Sequence, residues 1–157
     1  MKKIKKVSDS ITETVHVVRS THINGVGRLF GGSLMQWIDE ISGVVAVRHT
    51  GLGVTTAAID NLNFKEGAYQ NDTIVLIGKV TYVGHTSLEV KVDAFVEDKE
   101  GNRKNINSAY VVMVAIDDDG KPLEVPGLDI ETEEERLEWE AGEKRYNLRK
   151  KRYKEGF

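Results

Sequence analysis

The spacing of apolar residues predicts one long helix in the first third of the chain. Between residues 32 and 48, large apolar side chains recur every three or four positions, which is the spacing of one face of an α-helix. Gly51 and Gly53 follow this segment, and we expect them to end the helix. The apolar face consists of Leu34, Ile38, Ile41 and Val45.

Five segments have the pattern of β-strands. Residues 88–97 alternate apolar and polar side chains, whereas residues 73–83 are apolar on both faces, which is typical of a central strand covered on both sides. The turns between strands are short, which favours an antiparallel meander with the helix packed across one sheet, an α+β fold. The remaining predicted strands are residues 11–19, 54–64 and 106–117.

Residues 131–154 predict a second helix of different composition. Acidic residues come first and basic residues last, the order that stabilises a helix through its dipole. Trp139, Tyr146 and Tyr153 form an aromatic stripe, and Gly142 weakens the helix by about 1 kcal/mol relative to alanine. The seven basic residues between 144 and 154 could contact phosphates, but the acidic half argues against a nucleic-acid surface.

We therefore expect this tail to form a solvated or subunit-docking helix. The composition changes after the last predicted strand, at the point where the tail begins. On this basis we divide the chain into a main domain over residues 1–128 and a charged helical extension over residues 129–157.

A second stripe, made mostly of small residues, lies nearly opposite the apolar face of the first helix. Small residues allow another backbone to approach, and a helix covered on both sides would leave Asp39 at least partly buried. A buried carboxylate without hydrogen bonds has a raised pKa, which makes it a candidate general base. The alternative is an exposed aspartate that only contributes to solubility. The stripe comprises Gly32, Met35, Asp39, Ser42, Gly43 and Ala46.

The loop before this helix carries further candidate groups. Gly31 and Gly32 stand at the predicted helix start, where unpaired N–H groups could bind a carbonyl oxygen, although the pair also suits a plain tight turn. Asn24 followed by Gly25 is typical of a turn, and its amide could also orient water or hold a carbonyl. His22 could act as a base, but no paired serine or cysteine nucleophile is evident, which favours a structural role.

Composition narrows the classes of function. A chain of 157 residues suits one domain with a full core, and a net charge of −3 gives no reason to expect nucleic acid as a partner. The absence of cysteine excludes disulfides and thiol chemistry, and His16 and His49 lack metal-site spacing, so we expect no metal. No secretory signal is evident and no apolar run approaches the ~20 residues of a membrane span, so we expect a cytoplasmic protein without membrane contact.

Several short motifs occur in this order along the chain: Asn24-Gly25, Leu29-Phe30-Gly31-Gly32, Trp37-Ile38-Asp39, Val54-Thr55-Thr56-Ala57, Phe64, Asn71-Asp72, Val83-Gly84-His85-Thr86-Ser87, Val114-Ala115-Ile116-Asp117, Gly120-Lys121-Pro122 and Val125-Pro126. This pattern resembles the acyl-CoA thioesterase branch of the hotdog-fold superfamily, the cytosolic acyl-CoA hydrolases of bacteria and mammals. The resemblance covers roughly residues 11–128 and does not include the tail. One departure is His85, where arginine is frequent in the family, and it leaves the nucleotide contacts open.

The resemblance implies a hotdog fold, in which a curved antiparallel sheet wraps a long central helix. It also implies paired protomers, commonly assembled as a trimer of dimers. The family's asparagine would be Asn24 and its carboxylate Asp39, contributed by opposite protomers, with the carbonyl-polarising amide at Gly31 or Gly32. By the same analogy Thr56 lines the site, and the turn formed by Gly84, His85, Thr86 and Ser87 lies near the CoA moiety.

The resemblance therefore implies an acyl-CoA thioesterase, which we expect to be cytoplasmic and homo-oligomeric and to need no cofactor, because coenzyme A is part of its substrate. Asp39 would activate water while Asn24 and a helix N–H group stabilise the oxyanion; attack by Asp39 through a mixed anhydride is the alternative mechanism. The alternative function is a non-catalytic acyl-CoA or nucleotide sensor on the same fold. A hotdog dehydratase usually has a histidine at the catalytic helix start, and the Asn24 and Asp39 pair points away from it.

Overall fold

The computed structural model describes residues 3–157. Over this range the chain forms seven strands and two α-helices, with short 3-10 turns at Val7–Asp9 and Ser20–His22. The elements are β1 (Ile4–Lys6), β2 (Thr12–Val17), α1 (Gly31–Thr50), β3 (Gly53–Asp60), β4 (Thr73–Val83), β5 (Ser87–Glu97), β6 (Arg103–Ile116), β7 (Gly127–Asp129) and α2 (Glu133–Glu155).

Helix α1 occupies the segment predicted from the apolar spacing and extends it slightly at both ends. Its predicted apolar face is at most 1% exposed and packs against the sheet, which wraps around it. Gly51 ends the helix in a left-handed conformation, with φ of 68°, and its N–H donates to the carbonyl of Val47. The residues that form this face are Leu34, Ile38, Ile41 and Val45.

The main sheet has five strands in the order β2-β4-β5-β6-β3, all antiparallel to their neighbours. The predicted meander is confirmed for β4, β5 and β6, which are neighbours in the sheet. It is wrong for the step from β3 to β4, because these consecutive strands are not neighbours. These two strands lie three positions apart, because residues 61–72 carry the chain from the β3 edge to the far side of the sheet. The predicted strand over residues 54–64 stops early, since Asn61 has a left-handed φ of 57° and leaves the ladder.

Two short strands were not predicted. Strand β1 pairs in parallel with β7, so that Ile4 lies opposite Gly127 and Lys6 opposite Asp129. Each is only three residues long, too short to show a strand periodicity in the sequence. This pairing ties the first described residues to the segment that precedes α2.

Helix α2 packs across the outer face of the sheet, opposite α1. The polar positions of the sheet meet charged residues of α2: Lys79 pairs with Glu134 at 3.3 Å, and Lys91 pairs with Glu138 at 2.9 Å. Strand β4 is therefore covered on both sides, as its sequence predicts. The expectation of a solvated or subunit-docking helix is wrong for this face of α2, because the protein's own sheet occupies it.

The centre of this contact is a buried ion pair. The Arg145 guanidinium donates to both carboxylate oxygens of Glu89, at 2.8 and 2.9 Å, and the Glu89 side chain is 1% exposed. Thr81 also donates to Glu89, at 2.7 Å. Gly142 is buried where helix and sheet come closest, and a Cβ there would lie 2.7 Å from the Cβ of Tyr82. The glycine that weakens the helix in isolation is thus required by the packing.

Within residues 3–157, no helix is both long enough and apolar enough to cross a membrane.

Candidate active site

Asp39 and Thr56 meet where α1 passes strand β3. The Thr56 hydroxyl donates to Oδ1 of Asp39 at 2.5 Å and also contacts the sulfur of Met113 at 3.4 Å. The pairing of β3 with β6 is interrupted between Thr56 and Ala58, a β-bulge of the kind that often re-aims side chains beside active sites. The structure thus joins two residues that lie 17 positions apart in the chain.

Asp39 is exposed in the single chain, so of the two alternatives left open by the sequence, a partly buried base and an exposed aspartate, the single chain shows the exposed one. The small-residue stripe of α1 divides into two parts. Ser42 and Ala46 are buried against the protein's own structure, whereas Gly32, Met35 and Asp39 face outward. The exposed part is the half of the stripe next to the helix start.

Asn24 is held in a tight loop that fixes its side-chain amide. Its Oδ1 accepts hydrogen bonds from the backbone N–H groups of Val26 (3.0 Å) and Arg28 (3.1 Å). Gly27 closes the loop with a left-handed φ of 77° and donates to the Asn24 carbonyl. Among the described residues no acceptor is assigned to the side-chain NH₂ group of Asn24, so both of its donors remain available.

The double glycine forms the first turn of α1. The N–H groups of Ser33 and Leu34 both donate to the carbonyl of Phe30, but within residues 3–157 those of Gly31 and Gly32 have no acceptor. A Cβ at Gly31 would lie 3.2 Å from the Phe64 ring, and one at Gly32 would lie 2.5 Å from the Phe30 ring. The helix start therefore offers two free donors, and a side chain at either position would have to displace the Phe30 or Phe64 ring.

Asn24 and Gly31 line one cavity of about 290 Å³, together with Leu34, Phe64 and residues 65–68. Asp39 does not line it. Asp39 follows Gly31 by eight residues, which places it about 12 Å further along the helix axis. Within one chain the structure therefore brings Asn24 together with Gly31 but brings neither of them to Asp39.

The predicted CoA-contacting turn joins β4 and β5. It is held in place by backbone hydrogen bonds: Gly84 donates to Ser87, and the carbonyls of His85 and Thr86 accept from Val125 and Ala115. The His85 side chain is exposed. Ser87 lines a cavity of about 600 Å³ between the outer sheet face and α2. Thr56, by contrast, points inward to Asp39, so the two predicted parts of the site lie on opposite faces of the sheet.

Two further histidines are accounted for by packing. His16 stacks on Trp37 at 4.4 Å between ring centroids, and burial lowers the pKa of His16 below its usual value. His22 packs edge-on against the same ring, and its Nδ1 accepts from the backbone N–H of Arg19 at 2.9 Å. These contacts support the structural role expected for His22. Among residues 3–157 no three acidic or histidine side chains converge in a way that could hold a metal ion.

The basic residues of α2, considered in the sequence analysis only as possible phosphate contacts of a nucleic acid, line the outer cavity. Arg149, Lys150 and Lys154 line the outer cavity with Tyr146 and Ser87. In the sequence they belong to a run of basic residues that occupies several faces of the helix. The sequence therefore does not show which of these residues face the sheet. The only available signal was their number.

A long helix wrapped by a curled five-stranded antiparallel sheet, with donors at the helix start and an aspartate two turns later, defines a hotdog protein. The family model of the thioesterase superfamily matches residues 26–101. The chain belongs to this superfamily, in its acyl-CoA thioester hydrolase branch.

Two relatives illustrate the similarity in sequence. An uncharacterised acyl-CoA thioester hydrolase of Bacillus subtilis is 38% identical over 130 residues, which cover 82% of this chain and 76% of the relative. The cytosolic acyl coenzyme A thioester hydrolase of Rattus norvegicus is 35% identical over 143 residues. That match covers 89% of this chain, but the chain spans only 38% of the length of the rat protein.

Solved structures show the same fold over nearly the whole chain. The acyl-CoA hydrolase of Staphylococcus aureus, in complex with butyryl coenzyme A, coenzyme A and coenzyme A disulfide, is 32% identical with a TM-score of 0.91. The match covers 98% of this chain and 94% of that one. Single alanine variants of that enzyme at an asparagine, an aspartate and a threonine are also solved. An apo-hexameric acyl-CoA thioesterase is 36% identical with a TM-score of 0.91, covering 96% and 97% of the two chains.

Proposed function

We propose that this protein hydrolyses the thioester of acyl-CoA to the free carboxylic acid and CoA. The observation that carries the proposal is the Asp39 carboxylate, exposed on α1 and held by the Thr56 hydroxyl at 2.5 Å. The named activity of the relatives and the CoA ligands of the S. aureus enzyme support the same substrate class.

The general base and the hydrogen-bond donors for the oxyanion come from different parts of the chain. Thr56 donates to Oδ1 of Asp39, which orients the carboxylate and leaves Oδ2 available to take a proton from water. The free donors of Asn24, Gly31 and Gly32 suit the negative charge that develops on the thioester oxygen. Water then attacks the carbonyl carbon as its proton passes to Asp39, and the C–S bond breaks as that proton is transferred to the leaving sulfur, which releases the acid and the CoA thiol.

The solved variants of the S. aureus enzyme support these residue roles. In that protein the replaced aspartate follows the replaced asparagine by 15 positions, and the threonine follows the aspartate by 17. The same intervals separate Asn24, Asp39 and Thr56 in this chain. The agreement supports the assignment of Asn24, Asp39 and Thr56 to one kind of site.

The complete site requires two protomers. Asn24 and the glycine pair lie at the start of α1, away from Asp39, so a second chain has to bring the missing half. Strand β3 pairs only with β6 over the described residues, which leaves one edge free beside Asp39. Met35, Val44 and Val47 on α1 are 41 to 47% exposed. We propose a homodimer as the minimal unit, assembled as a trimer of dimers; the hexameric relative supports this number.

The test of the activity is hydrolysis of a panel of acyl-CoA thioesters of different chain length, followed by release of free thiol. We expect turnover by the wild type and loss of at least 100-fold in kcat for Asp39→Asn. Glu40→Gln is the matched control, since it removes a neighbouring exposed carboxylate of the same helix. CoA binding without turnover of any substrate would contradict the enzyme assignment and indicate a sensor.

A single turnover in heavy-oxygen water separates the two mechanisms. If Asp39 acts as a general base, the label appears only in the released acid. If Asp39 attacks the thioester and forms a mixed anhydride, hydrolysis of the anhydride can leave label in the Asp39 carboxylate. Mass spectrometry of the peptide that contains Asp39 distinguishes the outcomes, and we expect no label there.

A further inference from the structure

The cavity lined by Asn24 and Gly31 contains more than the donors proposed to bind the thioester oxygen. Part of its wall is apolar and buried: Leu34, Ala68 and Ile106 line it and are each at most 2% exposed. A carbonyl oxygen bound by Asn24 and Gly31 therefore lies beside an apolar space. Such a space suits the hydrocarbon part of the acyl group, because burial of apolar surface there is favourable.

The size and construction of the cavity limit what it can take. Its volume of about 290 Å³ has room for about ten groups the size of a water molecule, at ~30 Å³ each. Its walls are tied together within one chain, since the Leu29 N–H donates to the Ala68 carbonyl at 2.7 Å and the Lys65 N–H donates to the Ile106 carbonyl at 3.1 Å. A short acyl chain fits this space, whereas a long fatty acyl chain does not.

Two cations in the wall of this cavity have no carboxylate partner among the described residues. The Arg28 guanidinium forms no ion pair and no side-chain hydrogen bond with any of them. The Lys65 ammonium donates only to the amide oxygen of Asn105, at 3.2 Å. The acidic residue in the wall, Glu66, is already paired with Lys104 at 2.6 Å. N–H donors of both cations are therefore available to an anionic group in the cavity.

Arg28 is linked to the proposed oxyanion site through its backbone. Its N–H group donates to Oδ1 of Asn24 at 3.1 Å, while its side chain lies along the opposite loop. A Cβ at Gly67 would lie 3.1 Å from Cδ and 3.4 Å from Nε of Arg28, so the glycine leaves room for this side chain. The same residue thus fixes the Asn24 amide and places a guanidinium beside the cavity. A guanidinium binds a carboxylate through two parallel hydrogen bonds.

We propose that the cavity takes acyl groups that end in a second carboxylate, so that the preferred substrates are CoA thioesters of short dicarboxylic acids. The thioester carbonyl lies at Asn24 and Gly31, the methylene chain lies along the apolar wall, and the free carboxylate pairs with Arg28 and Lys65. An acyl chain of about four to six carbons fits the volume. Both cations are exposed, so little desolvation opposes the pairing. The inference rests on the proposed function and narrows its substrate class.

The test compares adipyl-CoA with hexanoyl-CoA, which have the same number of acyl carbons and differ in the terminal carboxylate. We expect the wild type to favour adipyl-CoA about tenfold in kcat/KM, the equivalent of one hydrogen-bonded charge pair. Because each preference is a ratio measured within one protein, it does not depend on how much of that protein is folded. A ratio near one in the wild type would overturn the proposal.

Two matched double variants assign the preference to the cavity. Arg28→Met/Lys65→Met removes both cations and keeps their apolar stems, and we expect it to lower the ratio to about one. Arg19→Met/Lys99→Met removes the same charge from exposed positions that do not line the cavity, and it should keep the ratio within about twofold of the wild type. Equal ratios in the two variants would overturn the proposal.

Ionic strength gives an independent readout. The wild-type preference for adipyl-CoA should fall several-fold between about 0.05 M and 0.5 M salt, because exposed charge pairs are screened. The ratio of the Arg28→Met/Lys65→Met variant should not change with salt. A wild-type preference that is insensitive to salt would overturn the inference. A changed oligomeric size of this variant with an unchanged ratio would also overturn it, since the two cations would then contact another subunit.

The two proposals fail in different ways. If the wild type hydrolyses adipyl-CoA and hexanoyl-CoA equally well, only the preference for a dicarboxylic acyl group is wrong. If it hydrolyses no acyl-CoA, the proposed activity is wrong, and calorimetry with the same two thioesters still decides which ligand the cavity takes. Tighter binding of adipyl-CoA that is lost in Arg28→Met/Lys65→Met would support the carboxylate contact, and equal affinities would overturn it.

Discussion

Thr56 donates a hydrogen bond to Asp39 at 2.5 Å across the boundary between the central helix and the edge strand of the sheet. The contact fixes a carboxylate that is otherwise exposed. It also places the bulge of β3 next to the helix face that carries Asp39. Helix and strand together therefore orient the group proposed to activate water.

The role of the Thr56 hydroxyl in holding Asp39 can be tested by replacing that hydroxyl with a methyl group. Thr56→Val keeps the shape but removes the donor, and we expect kcat to fall about 10- to 100-fold, the equivalent of one hydrogen bond to a charged group. Thr56→Ser should retain most activity. Thr55→Val is the control, because Thr55 is exposed and adjacent in the same strand. An active Thr56→Val enzyme would show that the hydroxyl does not position Asp39.

Mixing inactive variants tests whether the site is shared between protomers. Asp39→Asn and Asn24→Ala should each be inactive alone. In a heterodimer with two-fold symmetry, one of the two sites receives both wild-type residues, so an equal mixture should recover about a quarter of wild-type activity. Subunit exchange is verified by mass spectrometry of differently labelled chains. Absence of recovery after complete exchange would place both residues in one chain's site.

We predict that the buried side chain of His49 makes the protein less stable at mildly acidic pH. It is fully buried, its Nε2–H donates to the carbonyl of Pro126 at 2.9 Å, and among the described residues its Nδ1 has no partner. Burial lowers the pKa of His49 below its ordinary value of 6.5. The unfolded chain therefore binds a proton first, so stability is intact above pH 6.5 and decreases as the pH falls toward the folded-state pKa.

Urea unfolding at pH 7.5 and pH 5.5 measures this effect. A single histidine contributes at most about 1.4 kcal/mol per pH unit below 6.5. We expect the pH-dependent loss to be smaller in His49→Gln than in the wild type. His16→Gln is the comparison, since the pKa of His16 is also lowered by burial. Identical pH dependence of His49→Gln and wild type would contradict the assignment to His49.

Gly142→Ala tests the close packing of α2 on the sheet. Helix propensity alone predicts a gain of about 1 kcal/mol. The new Cβ would lie 2.7 Å from Tyr82 and 3.0 Å from Glu89, so we expect a net loss of about 1–3 kcal/mol in the free energy of unfolding. Asn147→Ala, at an exposed position of α2, should be neutral or slightly stabilising. A stabilised Gly142→Ala protein would show that α2 does not sit this close.

The sequence determined the local elements and the identities of the candidate residues. Helix α1 and strands β4 to β6 follow from apolar periodicity, because each periodicity reports one buried face of one element. The motifs that contain Asn24, Asp39 and Thr56 could also be recognised in the sequence, because each is a short segment of consecutive residues.

Only the tertiary structure decided how these elements meet. The place of β3 at the sheet edge, the β1–β7 pair and the Thr56–Asp39 contact depend on pairings between distant residues, which no local pattern encodes. The alternating pattern of β5 is the same whether its charged face contacts water or a charged helix. The Glu89–Arg145 pair could therefore not be predicted from the sequence. The distance between Asn24 and Asp39 within one chain is likewise a property of the fold, since Asp39 lies about 12 Å along the helix axis from Gly31, which lines a cavity with Asn24.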